Sequence, residues 1–500
     1  MKQKTRKLFC GVIAAILASY FPAFANMNPA ATGMCGKTEE ASASVSDKEN
    51  GKPAKKHKKE VKYNEAGEII KTGVNFGPLP VVAFDADRGF QFGALLNMYI
   101  FGDGSTYPNP KSSWYIEASA YTKESTIGSY KFVVNYDNKT LIPGVRMSIC
   151  TGYYKDAALD FYGFNGFRSN YDMELIKDSF VFDDQKLQTK FDTKGKMPKG
   201  FYRFGRDQVK AKIDFTGKIL KNFFWEAGYN FSWIKAQDYI TKGYTVMDGN
   251  SLFSLYKDWG IIPEEEADGG IISSLRLGLM YDSRNIENNP TKGIWAEAHV
   301  VGAPKWLGTT HGHYKFCGTF RHYVPLGTEK LIFAYRLAYQ GFFSNAPWYA
   351  LPFYTTMGPN ADYDGVGGYR TVRGLMLNRV QGLHTGFYNA EFRWRFIDFK
   401  LWKQNIAFAV SAFCDGAHVF KDYDMTLSDE RREQLGAAAP EKVEMYNKFV
   451  LDRKDGFHGS AGAGLRFIMN QNFIVAFEYA RCFNKQDGNG AFYINTGFLF

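Results

Sequence analysis

The sequence predicts an all-β chain, a sixteen-stranded antiparallel transmembrane β-barrel behind a short disordered N-terminal linker. Three observations predict it: an export leader, period-two alternation sustained from about residue 74 to the end, and connections that alternate short and long. The leader comes first. Lys2, Lys4, Arg6 and Lys7 precede the apolar run "LFCGVIAAILASYFPAF", and Ala23-Phe24-Ala25 forms a small-residue cleavage site. That is a secretory signal peptide over residues 1–25. Cys10 stands at the start of the apolar run, the wrong end for a lipid anchor. After the leader no apolar run reaches the 18 or so residues a membrane helix needs, and mean hydropathy is -0.32. Aromatic residues make up 17% and Gly numbers 50, a composition suited to strands with aromatic girdles.

Residues 26–73 read as a basic, disordered periplasmic linker, with "KPAKKHKKEVK" following a Ser-, Ala- and Glu-rich stretch. It serves as a solvated tether or is drawn to anionic lipid headgroups. The formal charge of +10 is concentrated early, the first 73 residues holding 13 Lys and Arg against 7 Asp and Glu, and an exported chain has no nucleic acid to meet. Five Cys remain after the leader, widely spaced and without a C-x-x-C pair, so neither a disulfide framework nor a zinc site is expected.

The barrel is expected over residues 74–500. Its strands fall at about 77–85, 88–101, 112–122, 126–136, 143–154, 203–217, 222–236, 271–283, 293–303, 312–324, 330–341, 382–397, 405–419, 458–468, 472–483 and 490–500. "LIFAYRLAYQ" puts Phe333, Tyr335 and Leu337 on one face and Arg336 and Ala338 on the other. "FYNAEFRWRF" sets Phe392 and Trp394 against Glu391 and Arg393. Periodicity alone cannot say which face is outside. The leader and the alternation of short and long connections can, and they turn the apolar face to lipid and the charged face to a polar lumen. An arginine at Leu337 should then block assembly more than one at Ala338, which faces the lumen. An even strand count leaves both termini periplasmic, with the long loops outside. In "AFYINTGFLF" the alternation continues to the end, so Phe498 and Phe500 share the lipid face of the last strand.

The candidate site lies in the long loop before the twelfth strand. "GGYRTVRGL" holds Val372, Arg373 and Gly374. Its Arg-Gly resembles the (V/I)-R-G-(F/Y) motif of the BamA/TamA superfamily, with Leu375 in place of the aromatic. "AFCDGAHVF" is similar to that family's F-x-D-x-G segment, and "YDSRNIENNPTKGIW" resembles its D-x-R…P-x-x-G turn through Asp282, Arg284 and Gly293. A terminal aromatic closing an alternating strand, Phe498 and Phe500 here, resembles the C-terminal signal of bacterial outer-membrane barrels. The resemblance implies a loop folded back into the lumen as a latch, Arg373 meeting Glu391 of the twelfth strand and Asp415 of the thirteenth. A planar guanidinium can bridge two such carboxylates bidentately. The family commonly carries periplasmic POTRA domains. Residues 26–73 leave no room for one, so the chain resembles a barrel-only branch.

The function expected is to assist insertion or translocation of proteins at the bacterial outer membrane. The partners implied are outer-membrane lipids including lipopolysaccharide, unfolded outer-membrane or secreted proteins, and periplasmic accessory proteins. A passive pore or structural barrel is the alternative, and a lipid-modifying barrel enzyme a third reading with only the presence of Ser and His behind it. No catalytic residue, cofactor or metal is expected: G-x-S-x-G, Walker and dinucleotide motifs are absent, and His311 and His313 find no third ligand.

Overall fold

Alternation of apolar and polar residues gives a strand two unlike faces, and sixteen such strands close on themselves into a barrel. The computed structural model describes residues 70–85, 89–107, 109–123, 126–171, 199–238, 251–287, 289–359, 362–401, 404–469, 473–496 and 499–500. The expected leader and most of the expected linker, through residue 69, lie outside the described residues, as does Phe498.

The barrel strands follow one another round the wall in chain order. They are β1 Gly73–Asp85, β2 Gly89–Gly102, β3 Ser112–Lys123, β4 Thr126–Ile142, β5 Val145–Asp160, β6 Arg203–Leu220, β7 Phe223–Asp238 and β8 Gly269–Asp282. Then come β9 Gly293–Ala303, β10 His313–Thr328, β11 Leu331–Phe342, β14 His384–Leu401, β15 Gln404–Lys421, β16 His458–Met469, β17 Phe473–Cys482 and β18 Ala491–Thr496. A separate two-residue hairpin, β12 Phe353–Tyr354 with β13 Tyr363–Asp364, lies in the connection between β11 and β14. All sixteen expected strands are present. β4 and β5 each run six residues further than their alternation suggested, and β18 stops four residues short.

The chain falls into two units, residues 80–97 with 112–500 and residues 1–79 with 98–111. In the smaller one the chain turns beyond β2 through Gly102 and Gly104, both at positive φ, and Lys111 pairs with Asp103 at 2.9 Å. In the larger, Leu275, Leu277, Leu279 and Tyr281 of β8 are exposed while Arg276 is buried on the inner face. Phe343, Phe420, Phe457 and Phe483 are exposed at the long-loop end, and Trp394, Phe396 and Phe399 towards the short-turn end. Two aromatic girdles flanking an apolar band are what a lipid bilayer selects.

The described parts of the long connections fold inward over their end of the barrel. They carry α1 Leu252–Asp258, α2 Asp429–Ala438 and α3 Pro440–Phe449. Ser251 and Ser428 cap α1 and α2 by accepting from the N–H of Ser254 and Arg431. Phe161 sits at the centre of this cap, edge-on to Phe164, Phe204, Phe253, Tyr256 and Trp348 at 5.2 to 6.4 Å between centroids. The lumen at this end is a packed aromatic core.

Candidate functional site

The connection between β11 and β14 descends from that core along the inner wall. Gly367 and Gly374 carry φ of 113° and 91°. A Cβ on Gly374 would stand 2.9 Å from Ala480 Cβ, so only glycine lets the loop approach β17 this closely. Val372 and Leu375 are buried among Ala338, Phe387, Ala417 and Val419. Leu375 fills with aliphatic carbon the place expected for an aromatic ring, and Ala417 keeps the wall low beneath the loop. Ala338 is part of this packing, so an arginine there would meet the loop and not water.

Between those apolar anchors Arg373 is wholly buried and carries the expected charge pairing. Its Nε donates to Asp415 Oδ2 at 2.8 Å and its Nη2 to Asp415 Oδ1 at 3.1 Å, a bidentate contact. Nη1 donates to Glu391 Oε2 at 3.0 Å, and also to Glu478 Oε1 at 2.8 Å. The Arg373 backbone N–H donates to Asp415 Oδ2 at 3.1 Å, and the guanidinium lies 3.4 Å from the Phe413 ring centroid. Glu391 and Asp415 were predicted partners and Glu478 was not. A lone glutamate on the inward parity of "FIVAFEYARC" was the signal available for it. Arg466 Nη2 lies 2.8 Å from Glu391 Oε1 and 2.7 Å from Glu478 Oε1, and Arg393 Nε lies 3.3 Å from Glu391 Oε1. Three guanidiniums thus face three carboxylates, and the cluster is neutral as a whole. Neutrality is what makes so much buried charge affordable in a low-dielectric lumen.

The loop is bonded round a wide arc of the wall. Arg336 of β11 donates to the carbonyl oxygens of Arg370 and Thr371 at 3.0 and 3.3 Å, and to the Asn389 side chain at 2.8 Å. The Tyr363 hydroxyl receives Arg321 Nη2 at 2.9 Å and Arg336 Nη1 at 3.2 Å. Burial pushes the Tyr363 phenol up, but the guanidiniums of Arg321, Arg336 and Arg370 outweigh it and lower the group to about 8. On the other side Ser460 of β16 donates to the Arg373 carbonyl, and the Gly374 N–H donates to the Tyr493 hydroxyl of β18 at 3.0 Å. The latch therefore reaches the last strand of the barrel.

Among the described residues β1 and β18 pair at two positions, Phe84↔Ile494 and Asp85↔Tyr493, whereas β14 and β15 pair at seventeen and β16 and β17 at ten. The expectation for Phe500 is corrected here. It does not close a lipid-facing strand; β18 is described as far as Thr496, and Phe500 is buried inside with Tyr323 and Ala334. The guanidinium carbons of Arg393 and Arg336 lie 4.8 and 5.1 Å from its ring centroid, and Arg393 Nη2 donates to its carbonyl oxygen at 3.1 Å.

The turn motif assembles as a unit of its own. Arg284 grips Asp282 through Nε and Nη2 at 3.0 and 2.8 Å, and Gly293, at φ 107°, packs where a Cβ would stand 2.4 Å from the Ser283 carbonyl oxygen. His311 bonds Tyr349 through Nδ1, and His313 bonds the His311 carbonyl through Nδ1. Cys150, Cys317 and Cys414 are free thiols.

A membrane barrel that holds one of its own long loops inside it, through an arginine set on carboxylates of three strands, defines a class of outer-membrane protein. The chain belongs to the Omp85 superfamily, whose domain model matches residues 162–500. The solved structure of BamA from Haemophilus ducreyi lacking POTRA domains 1-3 is 16% identical at a TM-score of 0.48, covering 86% of this chain and 71% of that one. CdiB from Escherichia coli is 10% identical at a TM-score of 0.50 over 86% of this chain, which spans 63% of the CdiB length. These likenesses concern the fold. Among curated proteins no sequence matches.

Proposed function

We propose that this barrel assists the insertion or export of polypeptides at the bacterial outer membrane, by parting its wall between β1 and β18. The short pairing at Phe84 and Asp85 carries the reading. A strand edge that is not fully paired presents backbone N–H and C=O groups to a client strand. The clients are unfolded outer-membrane or secreted proteins, delivered by periplasmic accessory proteins, with outer-membrane lipids and lipopolysaccharide around the seam. The latch would hold β18 in place through Tyr493 while Arg373 fixes the loop. A passive pore needs a clear lumen, and the aromatic core at the long-loop end argues against it. The reading gives the protein no catalytic chemistry.

Reconstitution tests it. Liposomes holding the protein should fold a urea-denatured outer-membrane barrel faster than empty liposomes, read as the heat-modifiable band on gels. A steady ion conductance with no gain in client folding would favour the passive pore.

A further inference from the structure

A second buried charge cluster lies at the long-loop end, built from four segments the Arg373 latch does not explain. His458, the first residue of β16, is fully buried with its ring stacked on Phe167 at 3.9 Å between centroids. Its Nδ1 lies 2.7 Å from Asp487 Oδ1 and its Nε2 2.9 Å from Asp455 Oδ1. A carboxylate can only accept, so both ring nitrogens must donate, and the arrangement holds an imidazolium. Gly166 closes over the contact; a Cβ there would stand 2.3 Å from Asp455 Oδ1 and 2.4 Å from His458 Nε2.

Each carboxylate ties a further segment. Asp455 accepts from the N–H groups of Phe167 and Val419 at 2.9 and 3.0 Å, and His418 Nδ1 stands 3.5 Å from it. Burial pushes the Asp455 carboxyl up, but the contacts from His458 and those N–H groups outweigh it and hold it below the usual carboxylate range. Asp487 closes the turn between β17 and β18. Its carbonyl accepts from Met376 N–H at 3.0 Å, and Arg379 Nε stands 3.5 Å from its carboxylate. Arg379 and Arg453 flank the Phe167 ring at 5.8 and 5.6 Å. The charged and titratable groups around the imidazole are therefore Asp455, Asp487, His418, Arg379 and Arg453.

We infer that His458 is a protonation-dependent clamp on the β17–β18 turn, the segment that leads directly into the seam strand. A neutral imidazole donates from one nitrogen only, so losing the proton leaves one buried carboxylate facing a lone pair. Asp487 is the side that yields, because it sits on a short turn whereas Asp455 keeps two backbone donors. The inference stands on this cluster alone and does not require the client-insertion reading.

Nitroxide labels at Lys421 and Lys485, both exposed, read the position of the turn by pulsed electron resonance in nanodiscs. The wild type should give one narrow distance at low pH and a broadened, longer distribution at high pH. Above the ordinary imidazole value of about 6.5, which applies to the open form, the closed-to-open ratio falls by about tenfold per pH unit until the clamped imidazole itself loses its proton. His458→Gln should be broad at every pH. Asp487→Asn should be narrow at every pH, because the amide can donate to a neutral imidazole that still serves Asp455. An unchanged wild-type distribution from pH 5 to pH 9 overturns the inference, and so does an Asp487→Asn protein that opens like the wild type.

Discussion

Replacing Arg373 by alanine removes one positive charge from a cluster in which Arg373, Arg393 and Arg466 balance Glu391, Asp415 and Glu478. The three carboxylates are then served by two guanidiniums, and Asp415 loses its bidentate partner. Breaking a buried pair in this way costs about 3–5 kcal/mol. The barrel strands do not depend on that contact, so the cost should be relieved by releasing the loop while the barrel stays folded. Lysine keeps the charge but replaces a planar fork by a single ammonium; with each charged hydrogen bond worth about 1.5–3 kcal/mol, it should recover only part of the loss. Limited proteolysis of the connection around residues 343–383 in detergent, run beside the heat-modifiable band of the barrel, reads both consequences. The expected order of cleavage is alanine fastest, then lysine, then wild type, with the folded band retained throughout. Adding Asp415→Asn to Arg373→Ala restores the charge balance and should slow cleavage again. Wild-type resistance in the alanine variant would show that the ion cluster does not hold the loop.

Further outcomes follow from the same contacts. Leu337→Arg puts a charge against lipid at a cost of about 2–4 kcal/mol near the midplane and should block membrane assembly, whereas Ala338→Arg should assemble with its loop displaced and protease-sensitive. Gly374→Ala forces a side chain onto a backbone at φ 91° and towards Ala480, and should lower thermal stability by about 1–2 kcal/mol or more, read by calorimetry. Tyr363 should ionise near pH 8, seen as a phenolate absorbance step that Tyr363→Phe abolishes. Because the folded value is depressed, its contribution is complete above the unfolded value of about 10 and is lost as pH falls through 8, so the loop should tighten between pH 8 and 10 by about 2–3 kcal/mol.

Much of this was legible in the sequence for a physical reason. A strand with one face in lipid and one in the lumen must alternate, so β8 and β11 announced both their limits and their faces, and β14 its faces, although it runs four residues past its expected end. Arg373 and its partners Glu391 and Asp415 could be placed by motif and parity together. Glu478 was missed although its parity was equally clear, because no motif drew attention to β17. The fate of Phe500 was not legible. Alternation persists past Thr496, and nothing local says that Phe500 ends in a pocket made by Arg336 and Arg393 from distant strands. The His458 cluster draws on residues between 166 and 487 and has no local signature at all. The same holds for the aromatic cap, whose rings come from loops without periodicity.

The claim that the wall parts between its first and last strands is tested most directly by locking it. Cysteines in place of Phe84 and Ile494, which are register partners, can be joined by a disulfide, and cysteines in place of the partners Phe320 and Leu337 provide a locked control at a well-paired position. In the liposome assay the oxidised seam variant should lose its acceleration of client folding and regain it on reduction, while the control keeps its activity in both states. Full activity of the oxidised seam variant, with the disulfide verified on gels, would contradict a function that depends on opening between β1 and β18.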